Sequence, residues 1–311
     1  MKCPAFAFCI CAAMLTTGCS QDEALTSPAG TSPGQVPLTI TSVGLQTEVT
    51  VTRASTQLGA GASIGVFLDN VAGSSSYTKK YNMRYDCGGA AWNPAAEAAR
   101  IYLTSDNADV CAYYPYRSDI YNNPVSLAPR ILADGEAPLA YATKRTVNLD
   151  NKNVTFSMTQ ACSWLVINFK RGDLKDDITL SEFSLTNSGL YKESLLNIPD
   201  GSITNATSAD AGTITFTGDI ALAKNSTVIR SISLPPSPSL SGGLKVSVKI
   251  KEYGNKVLST TLTGLTALTR GYKYAVTLTV DGTDLHFTSV EVLPWTETTV
   301  NNDGSPLEPL P

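Results

Sequence analysis

The sequence is short of charge and of histidine, and both shortages narrow the functions open to it. Asp, Glu, Lys and Arg make up 16% of its 311 residues, and the formal net charge is −4. No run of basic residues is present, and nucleic-acid-binding surfaces need clustered Lys and Arg, so a nucleic acid is not an expected partner. Because charge is scarce, Ser, Thr and Asn must fill the solvent-facing positions, and β-branched Thr favours strands.

The single histidine, His286, argues against His-dependent catalysis. It lies in an alternating segment where a surface position facing a neighbouring strand is expected, and nothing near it resembles a nucleophile elbow. The sequence also lacks a Walker loop, a His-Glu-x-x-His motif and a Gly-rich dinucleotide fingerprint. A glycosidase needs only two facing carboxylates and stays open, while Asp173, Asp176 and Asp177 suit a solvated turn or a calcium site. We predict no enzymatic activity, no cofactor and no metal.

Cysteine spacing argues against a zinc centre and against a rich disulfide framework. Three of the seven cysteines precede residue 12, and no Cys-x-x-Cys pair of the kind that binds zinc is present. If Cys19 carries a lipid, then Cys87, Cys111 and Cys162 remain, an odd number for disulfides. A bridge between Cys87 and Cys111 is one alternative, and buried thiols are the prediction we favour.

The start of the chain has the pattern of a cleaved export signal. Lys2 precedes an apolar run, residues 4–15, that is too short to span a bilayer. The sequence Leu-Thr-Thr-Gly-Cys that ends at Cys19 resembles a lipobox, although its Leu lies four residues before the cysteine rather than three. We predict a signal peptide over residues 1–18 and lipid attachment at Cys19, with an ordinary secretory peptide as the alternative.

The arm that follows carries most of the functional interpretation. Residues 19–37 are rich in Ser, Pro, Gly and Thr and predict a flexible tether. Two alternating segments, residues 38–45 and 48–53, then predict short strands, because alternation is the signature of a half-buried strand.

The second of these segments ends at a bond that trypsin-like proteases cleave. Val49 and Val51 point to one face of the segment, and the bond between Arg53 and Ala54 follows directly. An anchor, a tether, a strand and a cleavage site in this order predict that Val49 and Val51 belong to a strand that proteolysis displaces.

Beyond the arm, short alternating segments bounded by Gly, Pro and Asn recur without helices between them. That pattern predicts an all-β fold of antiparallel sandwiches. Residues 122–147 show scattered Pro and Gly and predict mostly loop. The polar stretch 148–153 marks the expected boundary between an N-terminal domain, residues 38–147, and a C-terminal domain, residues 148–311, with a polar tail.

Tyrosines concentrate in the N-terminal domain, and two interpretations of them compete. The residues concerned are Tyr102, Tyr113, Tyr114, Tyr116 and Tyr121. An aromatic face stacks on the apolar face of a sugar, so the chain could be a surface lipoprotein that binds glycans. The interpretation we favour is sandwich packing, in which Tyr buries its ring and keeps its hydroxyl at the rim.

Several short motifs occur in a definite order along nearly the whole chain. They are Cys19, Thr52-Arg53-Ala54, Ile64-Gly65-Val66-Phe67, Trp92, Ile101-Tyr102-Leu103, Ala112-Tyr113-Tyr114-Pro115-Tyr116, Phe156-Ser157-Met158, Leu265, Gly271-Tyr272-Lys273-Tyr274 and Val292-Leu293-Pro294-Trp295. In this order they resemble the fimbrillin family, the lipoprotein subunits of type V pili in anaerobic Gram-negative bacteria. Gln160 departs from the pattern, since such proteins often carry a histidine there.

The resemblance implies two tandem transthyretin-like antiparallel β-sandwich domains in a structural, non-enzymatic pilus subunit. It implies export as a lipoprotein precursor, held by the outer membrane through Cys19, and polymerisation by donor-strand exchange after cleavage between Arg53 and Ala54. The partners would be other pilin subunits in a head-to-tail polymer on the cell surface, with a host glycan or protein as the adhesion ligand. The donor strand is expected in residues 291–300 or in the tail after them.

Overall fold

The fold is built almost wholly from β-strands, as the Thr-rich alternation predicts. The computed structural model describes residues 34–46, 55–120, 124, 127–130, 137–205 and 212–294. Within these residues the regular elements are twenty strands and two short 3-10 turns, so the predicted all-β fold class is confirmed. No helix in the described part of the chain has the length and apolar character that crossing a membrane requires.

The first ten strands build the N-terminal part of the molecule. They are β1 (Val36–Pro37), β2 (Thr39–Gln46), β3 (Ser55–Gln57), β4 (Ser63–Asn70), β5 (Lys80–Cys87), β6 (Trp92–Pro94), β7 (Tyr102–Leu103), β8 (Ala108–Tyr114), β9 (Ala140–Val147) and β10 (Asn153–Gln160). Eight of them form one sheet, here called the N-terminal sheet, in the order β3-β2-β10-β9-β8-β4-β5-β6. A separate pair joins β1 to β7.

One face of the N-terminal sheet packs on a hydrophobic core. Along β10, Val154, Phe156 and Met158 are buried while Asn153 and Thr155 are exposed, which is the period of two expected of a strand with one face on a core. Neighbouring strands of this sheet run antiparallel, except that β2 and β10 run parallel. We call the buried cluster on this face the N-terminal core.

The next ten strands build the C-terminal part. They are β11 (Ser163–Arg171), β12 (Ile178–Asn187), β13 (Ser194–Asn197), β14 (Ser202–Asn205), β15 (Gly212–Leu222), β16 (Thr227–Leu234), β17 (Leu244–Ile250), β18 (Lys256–Leu262), β19 (Tyr272–Val280) and β20 (Leu285–Pro294). Two four-stranded sheets, β16-β11-β19-β20 and β15-β12-β17-β18, enclose a second core, here called the C-terminal core. Phe169 of one sheet meets Phe183 of the other there, with ring centroids 5.5 Å apart.

Two hairpin turns of the C-terminal part contain residues with positive φ. Gly254 and Asn255, with φ of 65° and 62°, connect β17 and β18. Gly282, with φ of 67°, lies in the connection between β19 and β20. Glycine and asparagine tolerate this left-handed backbone where other residues are strained, which is why these turns are visible in the sequence.

The prediction that residues 122–147 are mostly loop is wrong at their C-terminal end, where β9 forms. Ala140, Tyr141 and Ala142 are buried in succession and the four residues after them are exposed, so the side chains do not alternate. The strand exists because β8 and β10 bond to its backbone on both sides. Since β10 also pairs with β2, the N-terminal sheet includes residues on both sides of the boundary expected near residue 148.

The other face of the N-terminal sheet is covered by the hairpin β13–β14. Phe67, Tyr113 and Tyr141 on the sheet lie in one buried cluster with Leu196 and Ile198 of the hairpin. We call this group the hairpin cluster. The sequence did not predict this hairpin, because its two strands are only four residues long and lie between Gly and Pro residues.

A cation and a glycine fix the end of the hairpin against the sheet. A Cβ atom added to Gly201 would lie 2.7 Å from Cε2 of Tyr141, so only glycine allows this approach. The guanidinium of Arg270 lies 5.7 Å from the centroid of the Tyr141 ring, and its Nη1 donates a hydrogen bond to the carbonyl of Gly201.

Candidate functional site

The arm enters the N-terminal part of the molecule as two consecutive short strands. Val36 in β1 pairs with Leu103 in β7, and the next backbone donor, the N–H of Leu38, bonds to the carbonyl of Ile101 at 2.9 Å. Strand β2 then runs beside β10. The arm is therefore bonded to the rest of the molecule on two sides, by β7 and by β10.

The apolar side chains of the arm complete the N-terminal core. Leu38, Ile40, Val43 and Leu45 all belong to it, and Val43 is 0% exposed. Burial of one such side chain stabilises by roughly 1.5–3 kcal/mol, so losing the arm would expose a substantial part of the core. The sequence predicts a strand over residues 38–45, and β2 confirms it.

A register shift sets the spacing of these four side chains. The pairing passes from Ile40↔Val154 to Ser42↔Thr155, so Thr41 is an extra residue in β2. Its hydroxyl donates to the carbonyl of Val154 at 3.1 Å. The bulge places the buried side chains at positions i, i+2, i+5 and i+7 instead of in strict alternation.

The predicted processing residues lie outside the described residues. These are Cys19, Val49, Val51, Arg53 and Ala54. Their chain position is nevertheless informative, because the last residue of β2, Gln46, pairs with the first residue of β3, Ser55. The bond between Arg53 and Ala54 thus belongs to the connection between two paired strands, and β2 precedes it.

The described tyrosines do not share one surface, and Tyr121 lies outside the described residues. Tyr113 is buried, its hydroxyl donates to Oδ1 of Asn82 at 2.7 Å, and burial raises its pKa to about 12. Tyr102 instead donates to Oε1 of Glu97 at 2.7 Å, a hydrogen bond that raises the pKa of the Tyr102 phenol. The Tyr116 ring lies beneath Arg84. Within the described residues these side chains pack in the core or at its rim, as the favoured interpretation predicts.

The cysteines are buried and reduced. Cys87, Cys111 and Cys162 form no disulfide in the described part of the chain, which confirms the prediction of buried thiols. Burial is the largest cause that raises the pKa of Cys111 to about 12, and the nearby carboxylates of Asp69 and Asp109 raise it further. Burial also raises the pKa of Cys162 to about 11.

The one histidine occupies an exposed position at the start of β20, as its pattern predicts. Its Nε2 lies 2.8 Å from Oδ2 of Asp281. With Asp284 these residues form a group whose candidate ligand atoms lie within 4.8 Å of one another. Asp177, one of the loop acids with calcium-like spacing, is instead paired with Nη1 of Arg171 at 2.9 Å.

Comparison with known proteins identifies relatives of this fold. The family model described as fimbrillin-like matches residues 52–295. No curated protein sequence matches the chain significantly. Solved structures do match.

Three of these structures are candidate cell adhesion proteins of Bacteroides. That from Bacteroides uniformis shares 20% identity at a TM-score of 0.59, with 85% of this chain and 100% of that chain covered. That from Bacteroides ovatus shares 16% identity at a TM-score of 0.61, with 85% and 99% covered. That from Bacteroides fragilis shares 17% identity at a TM-score of 0.53, with 88% and 95% covered. At these identities the likeness concerns the fold.

Proposed function

The chain belongs to the fimbrillin-like family, whose members are structural pilus subunits and not enzymes, and from this membership we propose how it is processed and assembled. It is exported as a lipoprotein precursor with its lipid on Cys19. Cleavage between Arg53 and Ala54 removes the arm, and subunits then polymerise by donor-strand exchange. The two tandem domains expected from the sequence act together as one repeating unit of the fimbrium.

The observation that carries this proposal is the position of β2. With Leu38 directly before it, β2 places four apolar side chains in the N-terminal core, and it precedes the cleavage site in the chain. After cleavage, β2 would be held by hydrogen bonds and packing alone. Its release would leave the backbone of β10 without a partner along residues 153–158 and the core uncovered, and an unpaired strand beside an apolar surface favours the addition of another strand.

The strand that leaves is β2, together with the segment of Val49 and Val51 that follows it. Both precede Arg53, so cleavage separates both from the rest of the domain. Release of the arm leaves a groove beside β10 where Leu38, Ile40, Val43 and Leu45 were. A donor strand that fills this groove must carry apolar side chains at the same spacing, i, i+2, i+5 and i+7.

Residues 291–300 repeat three of these four positions in sequence. Leu293, Trp295 and Val300 stand at i, i+2 and i+7, and the polar Thr298 stands at i+5. Because Leu293 pairs with Lys273 at the end of β20, donation by this segment requires the end of β20 to leave β19. A donor from one subunit and a groove in the next make a heterologous contact, which propagates into a fibre because it does not close on itself. Partners are thus further copies or related subunits, and a host glycan or protein is the ligand of the assembled fimbrium.

Limited trypsin digestion of the purified precursor tests the proposal. We expect cleavage after Arg53, release of the fragment that contains β2, and a ladder of oligomers by native mass spectrometry. The matched control is Arg53→Gln, which keeps the length of the side chain and removes the trypsin site. Cleavage at Arg53 that leaves the protein monomeric, or oligomers from Arg53→Gln at the same rate, would contradict strand exchange.

A further inference from the structure

A cavity of about 240 Å³ opens on the outer face of the N-terminal sheet, beside the hairpin β13–β14. Phe67 and Cys111, both in the hairpin cluster, line its apolar part, and Tyr81 and Pro199 line it as well. The backbone N–H of Lys144 in β9 bonds to the carbonyl of Pro199 at 3.1 Å and fixes the hairpin end against the sheet. Pockets for drug-sized ligands measure roughly 300–1,000 Å³, so this one suits a smaller ligand.

Two carboxylates face each other on neighbouring strands of this cavity. Asp69 in β4 and Asp109 in β8 are direct cross-strand partners, an arrangement of like charges that destabilises a sheet. Each has a lysine close by. Lys79 lies 2.9 Å from Oδ1 of Asp69, and Lys144 lies 3.5 Å from Oδ2 of Asp109.

Asp109 has hydrogen-bonding capacity that no group in the described part of the chain uses fully. Its side chain is only 15% exposed, and Oδ1 accepts a hydrogen bond from the hydroxyl of Thr146 at 2.8 Å. Among the described residues, Lys144 is the one contact of Oδ2, and 3.5 Å is well beyond the roughly 2.7–2.9 Å of a charge-assisted hydrogen bond. A mostly buried carboxylate oxygen normally has a closer partner, so a donor from a ligand fits this position.

The charges of the cavity favour a neutral ligand over an ion. The lining carries Asp69, Asp109 and Lys144. Asp69 is already paired with Lys79 from outside the lining and Asp109 lies near Lys144, so each carboxylate has its own cation and an ion gains little from the field. Asp109 and Lys144 offer a strong acceptor and a strong donor side by side. Hydroxyl groups both donate and accept, and an aromatic and apolar wall suits the C–H face of a sugar ring.

We propose that this cavity binds a single neutral sugar ring, as a monosaccharide or as the end of a longer glycan. One hydroxyl of the sugar donates to Oδ2 of Asp109, and another accepts from Nζ of Lys144. The apolar face of the ring lies against Tyr81 and Pro199, and Phe67, which is 2% exposed, forms the floor beneath them. The site lies on the face opposite the N-terminal core, so it is present in the uncleaved monomer and does not depend on strand exchange.

Saturation-transfer difference NMR on the uncleaved monomer tests this site. The probes are galactose, glucose, mannose, fucose and N-acetylglucosamine, each alone, with N-acetylneuraminic acid and acetyl-lysine amide as charged comparators. We expect at least one neutral sugar to bind, and Asp109→Asn to weaken that binding by roughly tenfold or more, the effect of losing a hydrogen bond to a charged group. Asp219→Asn is the matched control, because Asp219 is also paired with a lysine, Lys251, at 2.8 Å, but on β15.

Each outcome decides the proposal. Sugar binding that is lost in Asp109→Asn and kept in Asp219→Asn supports it. No binding of any neutral sugar, binding of charged probes only, or equal binding by both variants overturns it. If Asp109→Asn does not fold, Lys144→Gln replaces it, since that side chain is 62% exposed and its loss removes the other hydrogen bond to the sugar.

Discussion

Gly65 shows how tightly the outer face of the N-terminal sheet is packed. The residue lies in β4, and a Cβ atom there would overlap the Tyr113 ring and lie 2.6 Å from Oδ1 of Asn82. Tyr113 is 0% exposed and its hydroxyl is bonded to that same Asn82 oxygen. Neither side chain can therefore move aside without breaking the hydrogen bond between them.

Gly65→Ala is expected to lower the free energy of unfolding by about 1–3 kcal/mol, the usual cost of adding volume to a packed core. The control is Gly59→Ala, where an added Cβ meets nothing within 4 Å and a change within about 0.5 kcal/mol is expected. Urea unfolding followed by circular dichroism measures both. Equal losses in the two variants would contradict the packing at Gly65.

The buried thiols lead to a prediction about reactivity and pH. Thiolate is the reactive form of cysteine, so Cys111 and Cys162 should resist iodoacetamide at pH 8 in the native protein and react in urea. Because folding raises the pKa of Cys111 from 9.0 to about 12, its stabilising contribution is full below pH 9 and is lost as the pH rises towards 12. Mass spectrometry of labelled protein measures the first effect, and thermal unfolding between pH 8 and pH 11 the second. Labelling of both thiols in the native protein would show that this burial is wrong.

At the scale of single elements, the packing of β2 against the N-terminal core can be weakened by one substitution. Leu45→Ala removes a buried side chain of the arm, and a loss of roughly 2–5 kcal/mol is expected. Once Arg53 is cleaved, the weakened strand should leave sooner, so oligomers should form faster than in the wild type. Light scattering after a trypsin pulse measures the rate.

Leu222→Ala provides the comparison for this experiment. Leu222 lies in β15, is 0% exposed and belongs to the C-terminal core, so its loss destabilises the protein by a similar amount without touching the arm. Its rate of oligomer formation should remain that of the wild type. Equal acceleration by both variants would mean that general instability, and not the release of β2, sets the rate.

The elements also show what the sequence could reveal. Strands such as β4 and β10 carry apolar runs or strict alternation, and the turns at Gly254 and Gly282 require a backbone that glycine favours, so local chemistry identifies them. Strand β9 has no such pattern. It forms because β8 and β10 bond to its backbone, so its own sequence does not reveal it.

The two candidate sites also differ in whether the local sequence reveals them. The strand over residues 38–45 was visible from its own alternation. Asp69 and Asp109 are 40 residues apart in the chain, and only the register of β4 and β8 places them side by side. No local signal marks that pair, so the cavity could not be predicted from the sequence.

At the scale of the whole molecule, the hairpin cluster couples the N-terminal sheet to the C-terminal part of the chain. Leu196 is 0% exposed within it, whereas its neighbour Leu195 is 48% exposed. Leu196→Ala should cost roughly 2–5 kcal/mol and should separate one calorimetric unfolding transition into two. Leu195→Ala, one residue away, should leave a single transition near the wild-type temperature. Two transitions in the wild-type protein would show that the cluster does not couple the two parts.

The parallel pairing of β2 with β10 also constrains the order of folding. The hydroxyl oxygens of Thr41 and Thr155 lie 2.8 Å apart although 114 residues separate them in the chain. Closing so long a loop costs entropy before any contact forms, and distant pairings slow folding. Strand β2 is synthesised long before β10 and cannot pair with it until β10 is available, so we expect the slot beside β10 to be filled late in folding. A subunit in which proteolysis creates the same slot would resemble that late stage.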